Sequence, residues 1–571
     1  MRSKLRCFLP AFCFLGMLSC SSVRVAAPRD VDYSAAISEL RSFITLEMDR
    51  LELPCLGIAL VDGSRIVWEE GFGWQDAAAG IRATERTVFR VGSISKLFTA
   101  TAVMQLQEEG LLDIRKPIVR YAPEAVFKNP FNPRSPITLR HLLTHTAGIP
   151  RESVVGGYFD PSSPGIERTV RSFFGTELVY PVGRRTSYSN LGPTIAGYII
   201  EKTVGIPFTE YVRRRILEPA GMTSSSFLPD TAAVQQNLAT AFMVGFGDRL
   251  FRAPVFDLGT IPAGNLFATA GDLARFMICL FRDGEGVSGR ILSKETLRQM
   301  FTVQFPANAF NPNGFGIGYS VNRFAGRRAV SHDGAVYGFA SAFTALPDEK
   351  LGVVVLNDVD CANGFNVKVV EKSLRLMLNA KVGADLPPLP QTDDRYGRSL
   401  DEYAGKYTFS DREDRVSVEQ DGLHLMHLGS PRLLRPLGGD RFIADGRMSY
   451  GGVYEFVRDA AGRVAGLKPY GSLRPYRKIP DYQPSEAVPG DLERFCGEYG
   501  WPHNIMRIYG KDGTLTCLVE WFFEYPLERT GDSTFVLPGY SLYAGEKMEF
   551  VEDADGRVTG VQLGEVSFPK L

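Results

Sequence analysis

Ser93 and Lys96 stand three residues apart at the head of the run FRVGSISKLFTATAVMQLQEEGLL, Phe89 to Leu112. From Lys96 onward, Leu97, Ala100, Val103, Met104 and Leu106 recur at three- and four-residue steps, which predicts a helix. Phe98, Ala102 and Leu111 put apolar groups on its other faces, so the helix is expected to be buried on most sides. The spacing sets the serine hydroxyl and the lysine amine on one helical face. An alcohol needs a base beside it to act as a nucleophile. An ammonium in a dry site gives up its proton readily, so Lys96 can be that base. The helix N-terminus offers partial positive charge and N–H groups where an oxyanion would form. Alone, S-x-x-K reads equally as an N-cap serine followed by an exposed lysine.

Further polar residues could complete such a site. In TSYSNLG, Thr186 to Gly192, Tyr188 offers a phenol able to shuttle a proton beside Lys96, and Asn190 an amide able to orient a substrate carbonyl. The same stretch also reads as a turn with a packed ring. His332, Asp333 and Gly334 are expected at the entry of the first of two long strands spanning Val330 to Asp358, joined by a turn at Pro347, Asp348 and Glu349. Gly334 and Gly338 would let a substrate approach the backbone closely. His141 and His145 in ITLRHLLTHTAGIP are spaced for one helical face, but no carboxylate or third histidine accompanies them. They are read as a helix end with backbone-bonded imidazoles, and no metal is expected. In AGNLFATAGDLARFMICLFRD, Thr269 or Asp272 can cap an amphipathic helix, read as structural.

The elements that must position these groups begin with an amphipathic helix over Tyr33 to Asp49 and two strands, Cys55 to Val61 and Ser64 to Trp74, joined at Asp62 and Gly63. Helix, strand pair, then buried helix fits a sheet with helices packed on it. The chain has 571 residues, too many for one core. Apolar residues make up 44% and charged residues 23%, and the net charge of −1 points to neither nucleic acid nor disorder. The start, MRSKLR followed by an apolar run too short to span a bilayer stably, reads as a signal peptide. It ends in Met17, Leu18, Ser19, Cys20, which resembles the bacterial lipoprotein cleavage box. Cys20 would then become the lipid-modified first residue and anchor the protein to a membrane; the alternative is an ordinary secretory signal cut nearby. No C-x-x-C occurs, and Cys496 with Cys517 stays open as a disulfide pair.

Taken in order, these pieces resemble the penicillin-recognising serine hydrolases, the β-lactamase-related superfamily, in the branch of class C β-lactamases, D-aminopeptidases and S-x-x-K esterases. VGSISKLFTA is similar to the first motif, YSN to the second and HDG to the third, with LLTHTAGIP, LEPAGM, AGNLFATAGDLARF and GFGIGY as further signatures. The resemblance spans Ala35 to Met377. It implies Ser93 as the acylated nucleophile, Lys96 as its base, Tyr188 as proton carrier to the leaving group, and Asn190 as a substrate-positioning residue. It places His332 in the third motif and the backbone N–H groups of Ser93 and Ala335 in the oxyanion hole. It implies no metal or organic cofactor. Asp333 departs from the family, where the middle residue of the third motif is usually small or hydroxylated. A carboxylate there would repel a substrate carboxylate, which predicts weak β-lactam hydrolysis and favours an amine-bearing or neutral substrate.

Beyond a proline-rich linker the chain repeats itself. LDEYAGKY from Leu400 aligns with LERFCGEY from Leu492, and EFVRDAAGRVAGL from Glu455 with EFVEDADGRVTGV from Glu549, at offsets of 92 and 94. Short alternating runs between D-G, G-G and P-G turns predict two antiparallel barrels, similar to the lipocalin-like domains of D-aminopeptidase-like relatives, which can line the active-site mouth there. Aromatics such as Tyr403, Tyr407, Phe442, Tyr450, Trp501, Trp521, Phe522 and Phe523 are expected to fill them. The expected organisation is a signal peptide at 1–19, a lipidated tether at 20–34, an α+β hydrolase domain at 35–385, a linker at 386–398, and barrels at 399–482 and 488–571. The expected function is an envelope serine hydrolase, at the bacterial periplasmic or outer surface, acting through acyl-Ser93 on a D-amino peptide, small amide or ester. The alternatives are a β-lactamase or peptidoglycan D,D-carboxypeptidase, and a non-catalytic binding protein of the same fold. The expected partners are a small substrate and, through Cys20, a membrane, but no nucleic acid; an oligomer is compatible with the sequence.

Overall fold

The computed structural model describes residues 31–153, 155–157, 160, 162–244, 250–306, 313–393, 399–410, 412–419, 422–480, 482–483, 485–501, 504–519, 523–541, 543, 546–563 and 566–571. The expected signal peptide and Cys20 lie outside these residues. Among them no helix is long and apolar enough to cross a membrane.

The strands Cys55–Asp62, Phe339–Leu346 and Leu351–Asn357 are apolar along almost their whole length, so both faces must be covered. They form the middle of an eight-stranded antiparallel sheet that runs from Ile81–Arg82 at one edge to Gly314–Phe315 at the other. Alternation divides their side chains between two cores. Leu56, Ile58, Leu60, Val353 and Val355 join the core under the helices Ser34–Leu51 and Asn363–Val382. Ala59, Val61, Val354 and Leu356 join the core that holds the helices Ser95–Glu108 and Ala270–Phe281. Every residue from Ser95 to Leu106 is buried, as the apolar groups on all faces of that helix require.

The run Val330 to Asp358 forms three strands rather than two. Besides the turn after Leu346, a hairpin turn at Tyr337 and Gly338, both with positive φ, separates Arg327–Val336 from Phe339–Leu346. Gly338 is therefore a turn residue, not a substrate-approach position: a Cβ there would meet the Phe242 backbone nitrogen at 2.7 Å. His332, Asp333 and Gly334 lie in the second half of their strand, not at its entry.

The first C-terminal repeat is a closed antiparallel barrel of eight strands from Gly405–Phe409 to Tyr476–Lys478. Tyr403, Tyr407 and Phe442 fill it, as expected, while Tyr450 is only half-buried and sits outside that cluster. The second repeat follows the same path with one break. The strand equivalent to Ser430–Gly438 is split into Phe523–Pro526 and Glu528–Arg529. Among the described residues it therefore forms a four-stranded and a five-stranded sheet around one core. The closing device recurs. The Tyr407 hydroxyl donates to the Tyr403 carbonyl (2.6 Å) and the Tyr499 hydroxyl to the Phe495 carbonyl (2.7 Å), and Tyr407 pairs with Lys478 as Tyr499 does with Lys570. Cys517 is buried in the second core and Cys496 is half-buried; both are unbridged thiols. Trp521 and Phe522 lie outside the described residues.

The first barrel is clamped to the hydrolase domain by a buried charge cluster. Lys368 Nζ lies 3.0 Å from both Glu47 Oε1 and Asp445 Oδ1, and Arg50 reaches Glu47 at 2.6 Å and Asp445 at 3.2 Å. Removing one partner of such a cluster strands the others in a dry interface. Lys368→Met is therefore expected to destabilise the fold by about 3 kcal/mol in denaturant unfolding. Unchanged stability would show that the cluster does not hold the barrel.

Candidate active site

Ser93 lies in the 3₁₀ turn Gly92–Ile94 that leads into the helix Ser95–Glu108. Two glycines press this turn against the strand Arg327–Val336. Gly92 has φ +51°, and a Cβ on it would fall 2.9 Å from the Ala335 nitrogen. A Cβ on Gly334 would overlap the Val91 carbonyl and lie 3.1 Å from the Ser93 nitrogen. The backbones of Ser93 and Ala335 are thus brought side by side on the pocket wall.

Lys96 Nζ donates to Ser93 Oγ at 2.8 Å and to the Ala263 carbonyl at 2.7 Å. Burial pushes its ammonium well below the ordinary lysine range; nearby Glu152 opposes that shift and Arg151 reinforces it. The segment Ile261–Gly264 therefore has a role in the site beyond packing: it holds the lysine, and Thr99 Oγ1 fixes it through the Pro262 carbonyl (2.6 Å). Thr269, rather than Asp272, caps the following helix, accepting from the Asp272 nitrogen at 3.0 Å.

The Tyr188 hydroxyl is hydrogen-bonded with Ser93, and burial pushes the phenol above its ordinary range, so it stays protonated. Its ring stacks on His145 at 4.2 Å and lies 5.0 Å from both Lys96 Nζ and the Arg151 guanidinium carbon. His145 is thus part of the site, not merely a helix end. It leaves the helix Leu139–Leu143 with φ +56° and accepts from the Ser189 nitrogen at 3.2 Å; burial pushes its imidazole well below the usual range and keeps it neutral. His141 stays behind in the helix, closing a capping box with Thr138.

Asn190 is held from two sides. Its backbone N–H donates to the Arg151 carbonyl (2.7 Å), and Nδ2 donates to Glu152 Oε1 (2.5 Å). Its Oδ1 is buried without a partner among the described residues. Asn190 lines the cavity with its amide nitrogen turned toward Glu152. Glu152 is almost fully buried, and desolvation pushes its carboxyl up to about 7 against the opposing effects of Arg151, Lys96 and Asn190. His332 Nδ1–H donates to the Asp333 carbonyl (2.7 Å), and burial pushes the imidazole down to about 3. Its Nε2 is thus an unprotonated acceptor, also without a partner among the described residues. The Asp333 side chain is reachable by solvent but crowded by the pocket wall; lost hydration pushes it up to about 6, and no cation or donor among the described residues offsets that.

Ser93, Arg151, Tyr188, Asn190, His332 and Asp333 line a cavity of about 500 Å³. Its outer wall comes from the repeats: Ser430 and Met448 from the first barrel, Phe523 from the second. Ser430 follows the hairpin tip Leu428–Gly429, which rests on the second repeat through the Glu524 nitrogen and Gly429 carbonyl (3.0 Å). Met448 sits in the loop that packs on the start of the helix Asn363–Val382, where the Phe365 nitrogen donates to the Arg447 carbonyl (3.2 Å). Sequence reasoning passed over Arg151, Glu152, Met448 and Ser430. The one available signal was the charged pair directly after the apolar GIP of the LLTHTAGIP signature.

A buried lysine and a tyrosine both reach the one serine oxygen. The Beta-lactamase family model matches residues 40–360, and the chain belongs to that family of serine hydrolases. It is 23% identical over 344 residues to Protein flp of Staphylococcus aureus (strain COL), covering 60% of this chain and 67% of that one. Among solved structures, the octameric penicillin-binding protein homologue from Pyrococcus abyssi aligns with a TM-score of 0.57 and 25% identity, over 86% of this chain and 99% of that one. The D-amino acid amidase from Ochrobactrum anthropi SV3 aligns with a TM-score of 0.50 and 21% identity, over 61% and 100%, a likeness of fold alone.

Proposed function

We propose that this chain hydrolyses amine-bearing amides or small peptides, and secondarily small esters, through an acyl-Ser93 intermediate. The observation that carries the reading is Lys96 Nζ, buried and 2.8 Å from Ser93 Oγ. Neutral Lys96 takes the Ser93 proton as Oγ bonds to the substrate carbonyl carbon. The negative oxygen forms between the N–H groups of Ser93 and Ala335. Tyr188, protonated at rest, passes a proton to the leaving nitrogen, the C–N bond breaks, and Lys96 returns a proton to Tyr188. Water then attacks the ester carbonyl. Neutral Lys96 takes one proton from that water, the bond between the carbonyl carbon and Ser93 Oγ breaks, and the proton passes from Lys96 to Ser93 Oγ.

Substrate class follows from the polarity of the wall. Asp333 is an exposed carboxyl on that wall, with no cation or donor offsetting its shift among the described residues, which favours a substrate bearing an amine or N–H groups over one that carries a carboxylate beside it. The D-configuration comes from the family resemblance and is in keeping with the amidase among the structural neighbours. We place the enzyme at the bacterial envelope, held by a lipid on Cys20. The reading is tested by comparing kcat/KM for D-alanyl-p-nitroanilide, p-nitrophenyl acetate and nitrocefin. Asp333→Asn is expected to lower the first about tenfold and to spare the acetate ester. Preference for the cationic substrate over the ester should rise between pH 5 and 7, as Asp333 ionises through about 6. Equal turnover of nitrocefin and the amine substrate by the wild type would rule this substrate class out.

A further inference from the structure

Two peptide units supply the N–H groups beside the Ser93 oxygen, and each has its carbonyl end held by a side chain. The Ser93 N–H shares a planar unit with the Gly92 carbonyl, and the Ala335 N–H shares one with the Gly334 carbonyl. In a trans unit the N–H and the carbonyl point in opposite directions. A donor on the carbonyl therefore fixes where the N–H points, and it polarises that N–H as well. Ser95 Oγ does this to the Gly92 carbonyl at 2.6 Å. Asn363 Nδ2 does it to the Gly334 carbonyl at 2.9 Å. Only the amide nitrogen of an asparagine can donate, which sets the orientation of the Asn363 side chain.

Strand register sends the second N–H the right way. Val336 and Phe339 flank the two-residue turn at Tyr337 and Gly338 and exchange the closing bonds; two residues on, Gly334 and Ser341 do the same. The Ala335 N–H therefore lies on the opposite edge. Pairing with Ser320–Phe324 ends there at Ser331, and the Gly92 turn packs against the Ala335 nitrogen instead. Asn363 is the first residue of the helix Asn363–Val382, and the first barrel seats that end: a Cβ on Gly364 would lie 2.3 Å from the Ser449 nitrogen. We infer that Asn363 is a positioning residue that holds the Ala335 N–H on the forming oxyanion, as Ser95 holds the Ser93 N–H, and that neither side chain reads the substrate. The inference rests on the acyl-Ser93 reading above and adds to it which side chains align the two donors.

The experiment measures kcat and KM for D-alanyl-p-nitroanilide and p-nitrophenyl acetate in Asn363→Leu and Ser95→Ala. The rate of Ser93 labelling by a fluorophosphonate and thermal unfolding are followed beside them. All three reactions build negative charge on an oxygen in the same place. Both kcat values and the labelling rate are therefore expected to fall by one common factor, about tenfold, with KM unchanged. Asn363 lines the cavity, so a direct contact is the rival role. A raised KM for the amide with the acetate spared would make it a substrate contact and overturns the inference. Unchanged rates with a lowered unfolding temperature would make it structural only and overturn it equally. Should Ser95→Ala fail to fold, Asn363→Leu decides alone. Should Asn363→Leu fail, Asn363→Ser takes its place, too short to reach Gly334 and suited to a helix start. Labelling of the wild type separates the two levels. With labelling and unresponsive variants only the alignment by side chains falls; without labelling the acyl-Ser93 reading falls and takes this inference with it.

Discussion

Ser93→Ala is expected to lower kcat for D-alanyl-p-nitroanilide by about 10⁴- to 10⁶-fold while leaving the protein folded. The size follows from what the hydroxyl does. It forms and breaks the bond to the acyl group, so its loss removes the covalent route altogether, and what remains is the electrostatic contribution of the neighbouring N–H groups. The fold should survive because Ser93 is only half-buried and its turn is held by other atoms. Ser95 Oγ donates to the Gly92 carbonyl at 2.6 Å, and the Leu266 nitrogen donates to Ser95 Oγ at 3.0 Å. Steady-state turnover measured beside thermal unfolding separates these statements. Residual activity above a hundredth of wild type would mean that another group is the nucleophile.

Lys96→Met is expected to lower kcat/KM by about 10²- to 10⁴-fold, the range of a positioned base. Here activity and stability should part company. The amine is buried with two uncharged partners, so replacing it by an apolar chain of similar length strands no charge and costs little stability. Lys96→Arg should not restore the rate, because a guanidinium stays protonated and cannot accept the Ser93 proton. In the wild type the rate should climb as pH rises through the lowered range of Lys96, since only the neutral amine is a base. Protonation of Glu152 below about 7 removes a nearby negative charge that favours the ammonium. A rate in Lys96→Met within fivefold of wild type would remove the lysine from the mechanism.

Legibility in the sequence tracked distance along the chain. Ser93 and Lys96 were readable because three residues on a helix fix their relation, and the apolar faces of that helix announced its burial. The strand pair after Cys55 and the repeat near ninety residues were readable for the same reason, a local pattern. The hairpin at Tyr337 and Gly338 was not, because both flanks are apolar and the glycine could be assigned to another task. The roles of Arg151 and Glu152 were hidden because a charged pair reads as surface until the fold buries it against Asn190, 38 residues away. Met448 and Phe523 reach the cavity only through the docking of the two repeats, which the Lys368 cluster secures and no local pattern encodes.

The central claim is that the oxygen of Ser93 carries the acyl group, and intact mass spectrometry after treatment with a fluorophosphonate tests it most directly. One adduct per chain is expected, on the peptide containing Ser93, absent from Ser93→Ala and much slowed in Lys96→Met. An adduct on any other residue, or none at all in a preparation that turns over D-alanyl-p-nitroanilide, would contradict the account.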